Sequence, residues 1–158
     1  RGQFFMVLSL MRLADVYLMY SEAVAVGYGS PKSKASNFYM TAEGAINKIR
    51  ERAGMTYVLD KFTGNTTDFL SEIRRERAVE LAFEGYRFFD TRTWRIAEET
   101  ENGPVYGMNV MATDHTPTGK FWQRTVAETR VFSKKHYLFP IAQEELDRNK
   151  AITQNYLW

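Results

Sequence analysis

Residues 72–95 read EIRRERAVELAFEGYRFFDTRTWR, and the fold turns on how that stretch is read. It has the length and period of a helix, halts at Gly85, and resumes as an aromatic, charged segment. At about 100° of rotation per residue, Phe69, Leu70, Ile73 and Leu81 share one arc. Arg77, Glu80 and Glu84 project from the same arc, with Glu76 and Phe83 at its edge. A surface helix would turn those ionic groups to the opposite side. This helix therefore either buries its charges in pairs or lines a site. Because buried charges are normally paired, Arg77, Glu80, Glu84 and Arg87 are expected to form a structural ion-pair motif, buried and bonded to each other or to backbone.

Upstream, the period is helical from Arg12, with Leu13, Val16, Tyr17, Tyr20, Ala23 and Val24 on one arc and Asp15, Ser21 and Glu22 away from it. Gly27, Gly29 and Pro31 end that helix in a loop. A second helix is expected from Ser36 or Thr41 to Ala53, with Ala42, Ala45, Ile46, Ile49 and Ala53 as its apolar stripe, Arg52 on the wet side and Gly54 past its end. Two helices joined by a short Gly/Pro loop should pack as an antiparallel pair of the tetratricopeptide kind. Met55–Asn65 reads as a linker, and Thr66, Thr67 or Asp68 as the cap of the third helix. Tyr86–Ile96 allows a shorter fourth one. Before all of these, Gln3–Leu10 is apolar and extended in character.

Downstream the texture changes. From Glu98 to Lys134 there is little period, many Thr and Gly, and scattered aromatics, so a long irregular region with short strands is expected. Lys135–Pro140 (KHYLFP) reads as extended, Gln143–Asp147 as a short helix, and Asn149–Trp158 as a polar tail. The fold class is thus mainly α: a tetratricopeptide-like helix pair plus further helices, a long irregular region and short extended segments. The 158 residues are expected to form a single domain, with a helical core over 11–97, an irregular region over 98–134 and a C-terminal segment over 135–158.

Composition narrows the chemistry. The chain is 44% hydrophobic and 25% charged, the balance of a soluble globular protein. Twenty-one basic residues against 19 acidic ones give a net charge of +2 with no basic stripe, so no nucleic-acid partner is indicated. The sequence has no cysteine, and its two histidines, His115 and His136, sit in unrelated contexts, so no metal site is expected. No spanning helix is visible in this chain. Glu80 and Glu84, at i and i+4, would place Cβ atoms about 6 Å apart, in range for paired glycosidase carboxylates. Arg77 and Arg87 lie a turn or less away and would hold both ionised, leaving no proton donor. No catalytic residue, enzyme activity or cofactor is expected.

Four segments, in this order, resemble the C-terminal part of the SusD/RagB family of outer-membrane nutrient-binding lipoproteins. They are Arg12–Ala23 (RLADVYLMYSEA), Ala45–Gly54 (AINKIRERAG), Glu76–Trp94 (ERAVELAFEGYRFFDTRTW) and Tyr137–Asn155 (YLFPIAQEELDRNKAITQN). The third, with its ER…EL.FEG.R..D…W pattern, is the specific one. Departures from the family pattern fall in loops: Thr93, Ala142 and Tyr156. The resemblance implies a core of tetratricopeptide-like helix pairs. It also implies capture of an oligosaccharide, or in some members a peptide, for a TonB-dependent outer-membrane transporter. Family members are much longer and begin at a lipidated cysteine. This chain is therefore expected to be the C-terminal portion of a larger, surface-exposed outer-membrane protein, lipid-anchored through an upstream segment.

In that setting Asp90, Arg92, Trp94 and Arg95 are expected to maintain the fold. The ligand-binding candidates are Tyr106 and Trp122, then Phe121 and His115, because a flat aromatic face stacks on the C–H face of a sugar. Asn109, Thr113, Asp114 and Gln123 would supply the directional hydrogen bonds. The expected function is a non-enzymatic glycan- or nutrient-binding component of a SusC/SusD-like uptake system. The alternative is a helical-repeat protein-interaction module without direct glycan binding.

Overall fold

The computed structural model describes residues 11–110 and 122–158. The extended segment expected over Gln3–Leu10, and the ligand candidates His115 and Phe121, lie outside the described residues. Two compact units are present, one ending at Arg87 and the other running from Phe88 to Trp158.

The first unit is helical: α1 (Leu13–Tyr28), α2 (Ala42–Arg52), a single turn α3 (Asp60–Thr63) and α4 (Thr66–Glu80). α1 packs on both α2 and α4. Their shared core holds Leu18, Ile46, Ile49, Val58, Phe69, Ile73 and Leu81. Local signals place the ends. Thr41 caps α2 by accepting a hydrogen bond from the Gly44 N–H at 2.9 Å, and Gly54 follows it in the left-handed region at φ 68°. Asn65, not Thr66, Thr67 or Asp68, caps α4: its side-chain oxygen accepts from the Asp68 N–H at 2.8 Å.

The buried side of α1 overlaps the expected arc only in part: Val24 is in the core and Tyr17 and Tyr20 pack against it, but the most deeply buried positions lie off that arc. Ala14, Asp15, Leu18, Ser21, Val24 and Ala25 face inward, while Leu13, Val16, Met19 and Val26 are exposed. The helix is apolar on nearly every side, so periodicity cannot choose its inner face. Small residues choose it instead. Ser21 is fully buried and donates to the Ala42 carbonyl at 2.7 Å, a contact that brings α1 close to the start of α2.

The expected charge motif exists with different partners. Arg77 is 8% exposed and pairs with the buried Asp15 of α1. Glu80 bonds Arg12 at 2.9 Å and Arg52 at 2.7 Å, and Glu84 bonds Arg12 at 2.6 Å. Glu84 and Arg87 are exposed at the residue level, because α4 stops at Glu80 and both follow it. Deeper in the same interface lies a cluster that the sequence did not disclose. Arg50 of α2 is 6% exposed and reaches Glu72 and Glu76 of α4, each at 2.9 Å. Arg75 closes over the same two carboxylates from outside.

In the second unit α5 (Tyr86–Thr93) leads to the short α6 (Ala97–Thr100), then β1 (Gly103–Val110) and β2 (Trp122–Arg130). The two strands pair antiparallel, so the short strands expected within this region form a regular ribbon. Every β2 position is exposed, so that strand has no inside–outside alternation to detect, whereas β1 alternates half-buried and exposed positions along most of its length. A 3-10 turn over Lys134–Tyr137 replaces the extended start expected for KHYLFP. After α7 (Gln143–Arg148) the tail folds back. Gln154 bonds both backbone groups of Ile141 at 2.8 and 3.0 Å, and Trp158 donates its indole N–H to the Lys135 and Leu138 carbonyls.

Two measurements probe the first unit. Removing one partner of a buried ion pair strands the other, at about 3–5 kcal/mol, whereas replacing both with apolar groups is close to neutral. Arg77→Met should therefore lower unfolding free energy by about 3–5 kcal/mol, and Asp15→Leu combined with Arg77→Met should recover most of it. Denaturant unfolding of the three variants reads this directly. Separately, hydrogen bonds from Arg75, with help from Arg50, hold the Glu72 carboxyl below its ordinary value of 4.5 despite its burial. Its folded pKa lies under its unfolded one, so its stabilisation is complete above that ordinary value and fades as pH falls through the folded value. Glu72→Gln should lower stability at neutral pH and flatten its decline on acidification below about 4.5.

Candidate functional site

The hairpin carries the two ligand-binding candidates that lie among the described residues, Tyr106 and Trp122. Successive strand residues alternate faces, and directly paired residues share one. Tyr106 pairs with Val126, Met108 with Arg124, and Val110 with Trp122. These six side chains therefore line one face of the ribbon. Tyr106 is 49% exposed and Trp122 44%, and Met108, Val110 and Val126 are more open still. The structure thus brings two of the four candidates, Tyr106 and Trp122, onto a common face, at opposite ends of a strip of aliphatic side chains.

Arg124 was not singled out in the sequence, yet it shapes this strip. Its guanidinium carbon lies 3.5 Å from the centre of the Tyr106 ring, a cation–π contact that covers one side of the phenol. Trp122, 44% exposed, is the second aromatic of the strip. The polar residues expected to assist lie elsewhere: Asn109 and Gln123 pair with each other on the opposite face of the ribbon. Thr113 and Asp114 lie outside the described residues. On the aromatic strip the one charged group is Arg124.

An isolated two-stranded hairpin is marginal in water, so its base matters. Asn102, just before β1, accepts from the Phe132 N–H at 2.6 Å and donates to the carbonyls of Phe132 at 2.9 Å and Glu98 at 2.6 Å. One amide thus ties the start of β1 to the residues after β2 and to α6. Along the ribbon, the pairing slips by one residue after Val105, leaving Ala127 as the extra residue. A Cβ on Gly107 would meet that of Ala127 at 3.3 Å, so a glycine suits the slip.

Glu80 and Glu84 do not form a two-carboxylate site open to a substrate. Both grip the Arg12 guanidinium, whose proton is held more firmly than usual by hydrogen bonds to Glu84 first and then Glu80. Among the described residues no group of His, Asp and Glu is placed to hold a metal, and no helix is long and apolar enough to cross a membrane.

The profile of the SusD family matches residues 6–158. This chain belongs to the SusD family. Over 85 residues it is 36% identical to a SusD-like protein of Bacteroides ovatus, covering 54% of this chain and 13% of that protein. A crystal structure of a SusD-like protein from Bacteroides fragilis superposes with a TM-score of 0.71 at 25% identity, covering 92% of this chain and 24% of the other. A SusD superfamily structure from Parabacteroides distasonis gives 0.59 at 25% identity, covering 95% and 27%. The chain therefore spans about an eighth of the curated relative and about a quarter of these solved structures. The mainly α fold with its tetratricopeptide-like helices is that of the SusD-like neighbours.

The clamp at the foot of the SusD-family hairpin is open to test. Asn102→Ala removes three hydrogen bonds and strands the backbone groups of the buried Phe132, a loss of about 2–3 kcal/mol. Amide hydrogen exchange should accelerate across β1 and β2 while α1, α2 and α4 stay as protected as before. Unchanged exchange in the strands would show that the clamp does not hold them.

Proposed function

We propose that this chain is the C-terminal part of a glycan-binding protein on the outer-membrane surface, lipid-anchored through an upstream segment. In this reading it holds an oligosaccharide by stacking and hydrogen bonding and delivers it to a TonB-dependent transporter. No bond is broken and no cofactor takes part. Membership of the SusD family supports the class. The observation that carries the reading within this chain is the solvent-facing strip of the hairpin, where Trp122 offers a flat, half-exposed ring and Arg124 a fixed donor. A sugar's C–H face covers such a ring without a large entropy cost, since the indole has few torsions to lose.

The same strip favours a second reading. Met108, Val110 and Val126 are aliphatic, exposed and contiguous with the aromatics, a composition more typical of protein contact than of a sugar site. There the ribbon would meet a protein, the transporter itself, and the chain would act as an interaction module without glycan affinity.

Calorimetric titration of the full-length protein with oligosaccharides, before and after Trp122→Ala, separates the readings. Glycan binding weakened by about tenfold or more is expected, as for a central aromatic contact. An unchanged affinity would remove Trp122 from the site. Absence of any glycan affinity, with transporter co-purification lost on Val126→Asp, would favour the protein-contact reading.

A further inference from the structure

The second unit contains an open cleft of about 690 Å³ that no part of the hairpin strip touches. Arg92 and Arg95, at the end of α5, line one part of it. Glu98 of α6, Lys134 and Tyr137 of the 3-10 turn, and Tyr156 of the tail line the rest. Three cations face a single carboxylate there. Neither Arg95 nor Lys134 has an ion-pair partner among the described residues.

Two further features belong to the wall of the cleft. The Arg92 Nε and the Tyr137 hydroxyl are buried, yet neither has a hydrogen-bond partner among the described residues. Both belong to residues that line the cleft. Arg92 is meanwhile fixed in place: it donates to the Phe88 carbonyl at 2.9 Å and lies 3.5 Å over the Phe88 ring. Arg95 adds backbone strain. It occupies the left-handed region at φ 55°, just past the end of α5, where glycine would sit without cost. Residues held in such conformations concentrate at binding sites.

We infer that this cleft binds an oxyanion carried on a sugar ring, the carboxylate of a uronic acid or a sulfate ester. The guanidinium of Arg95 and the ammonium of Lys134 would meet the anion, and the exposed Tyr156 ring would lie along the sugar. The identity of the carrier as a sugar rests on the glycan-binding reading above; the anion site itself rests on the cleft.

The experiment is calorimetric titration of the full-length protein with an oligogalacturonide, a sulfated oligosaccharide and a neutral oligosaccharide of matched length, and with inorganic sulfate. Binding of an acidic oligosaccharide is expected, with roughly tenfold weakening in each of Arg95→Gly and Lys134→Gln. The carboxylated and sulfated arms identify which anion is preferred. Arg95→Gly should also raise the melting temperature, since it relieves the left-handed arginine, so weaker binding in that variant is not a folding defect. Sulfate binding that both variants weaken, without affinity for any oligosaccharide, would keep the anion site and contradict the glycan-binding reading. Equal affinity of acidic and neutral sugars, untouched by either variant, would overturn the inference and leave the hairpin reading intact.

Discussion

The first unit depends on where the charges of α4 go. Apolar contact alone would let α4 slide or rotate against α1 and α2, because hydrophobic attraction has no direction. Charges taken out of water must instead meet their partners within a few tenths of an ångström. Along α4 the partners arrive in sequence: Arg50 of α2 at Glu72 and Glu76, Asp15 of α1 at Arg77, then Arg12 and Arg52 at Glu80. Phe69 and Ile73 are fully buried on the same helix. We read the ion pairs as keys of register: they add little net stability over an apolar interface, but they make other alignments costly. Tyr86 belongs to this arrangement. Burial, together with Asp15, pushes its phenol pKa up, and its ring lies 5.1 Å from the Arg77 guanidinium.

The second unit solves a different problem by similar means. Among the described residues it has few buried ones, Thr91, Ala97 and Phe132. Side-chain amides do much of the work that a large core would do elsewhere. Asn102 fastens the hairpin, and Gln154 and Asn155 hold the Phe139–Ile141 stretch by its backbone. This leaves the ribbon faces and the cleft free of structural duty. A rigidly fastened ribbon with an aromatic strip can present contacts without reorganising, which is what capture of a weakly held ligand requires.

Much of the helical frame was legible in the sequence. The stripe Ala42, Ala45, Ile46 and Ile49, the glycine after α2, and the mixture of charge and apolar residues in α4 each carry a local physical signal. The inward face of α1 was legible only in part, because a helix apolar on nearly all sides has no preferred face until small residues meet a neighbour. The partners of Arg77 and Glu80 were not legible either. Asp15, Arg12 and Arg52 lie far away in the chain, and each looks like an ordinary solvated charge. On the hairpin, Tyr106 and Trp122 could be singled out by residue type. Their common face, the covering of Tyr106 by Arg124, and the displacement of Asn109 and Gln123 to the other side follow from register, which exposed strands do not encode.

The proposed division of labour is that the charged motif builds the first unit and the hairpin meets the ligand. It is tested most directly by measuring glycan affinity of the full-length protein carrying Asp15→Leu and Arg77→Met together, after circular dichroism has shown it folded. If the motif is scaffold, the affinity stays within about twofold of the parent protein. A folded double variant that no longer binds the glycan would place ligand recognition in the α4 motif and contradict the claim.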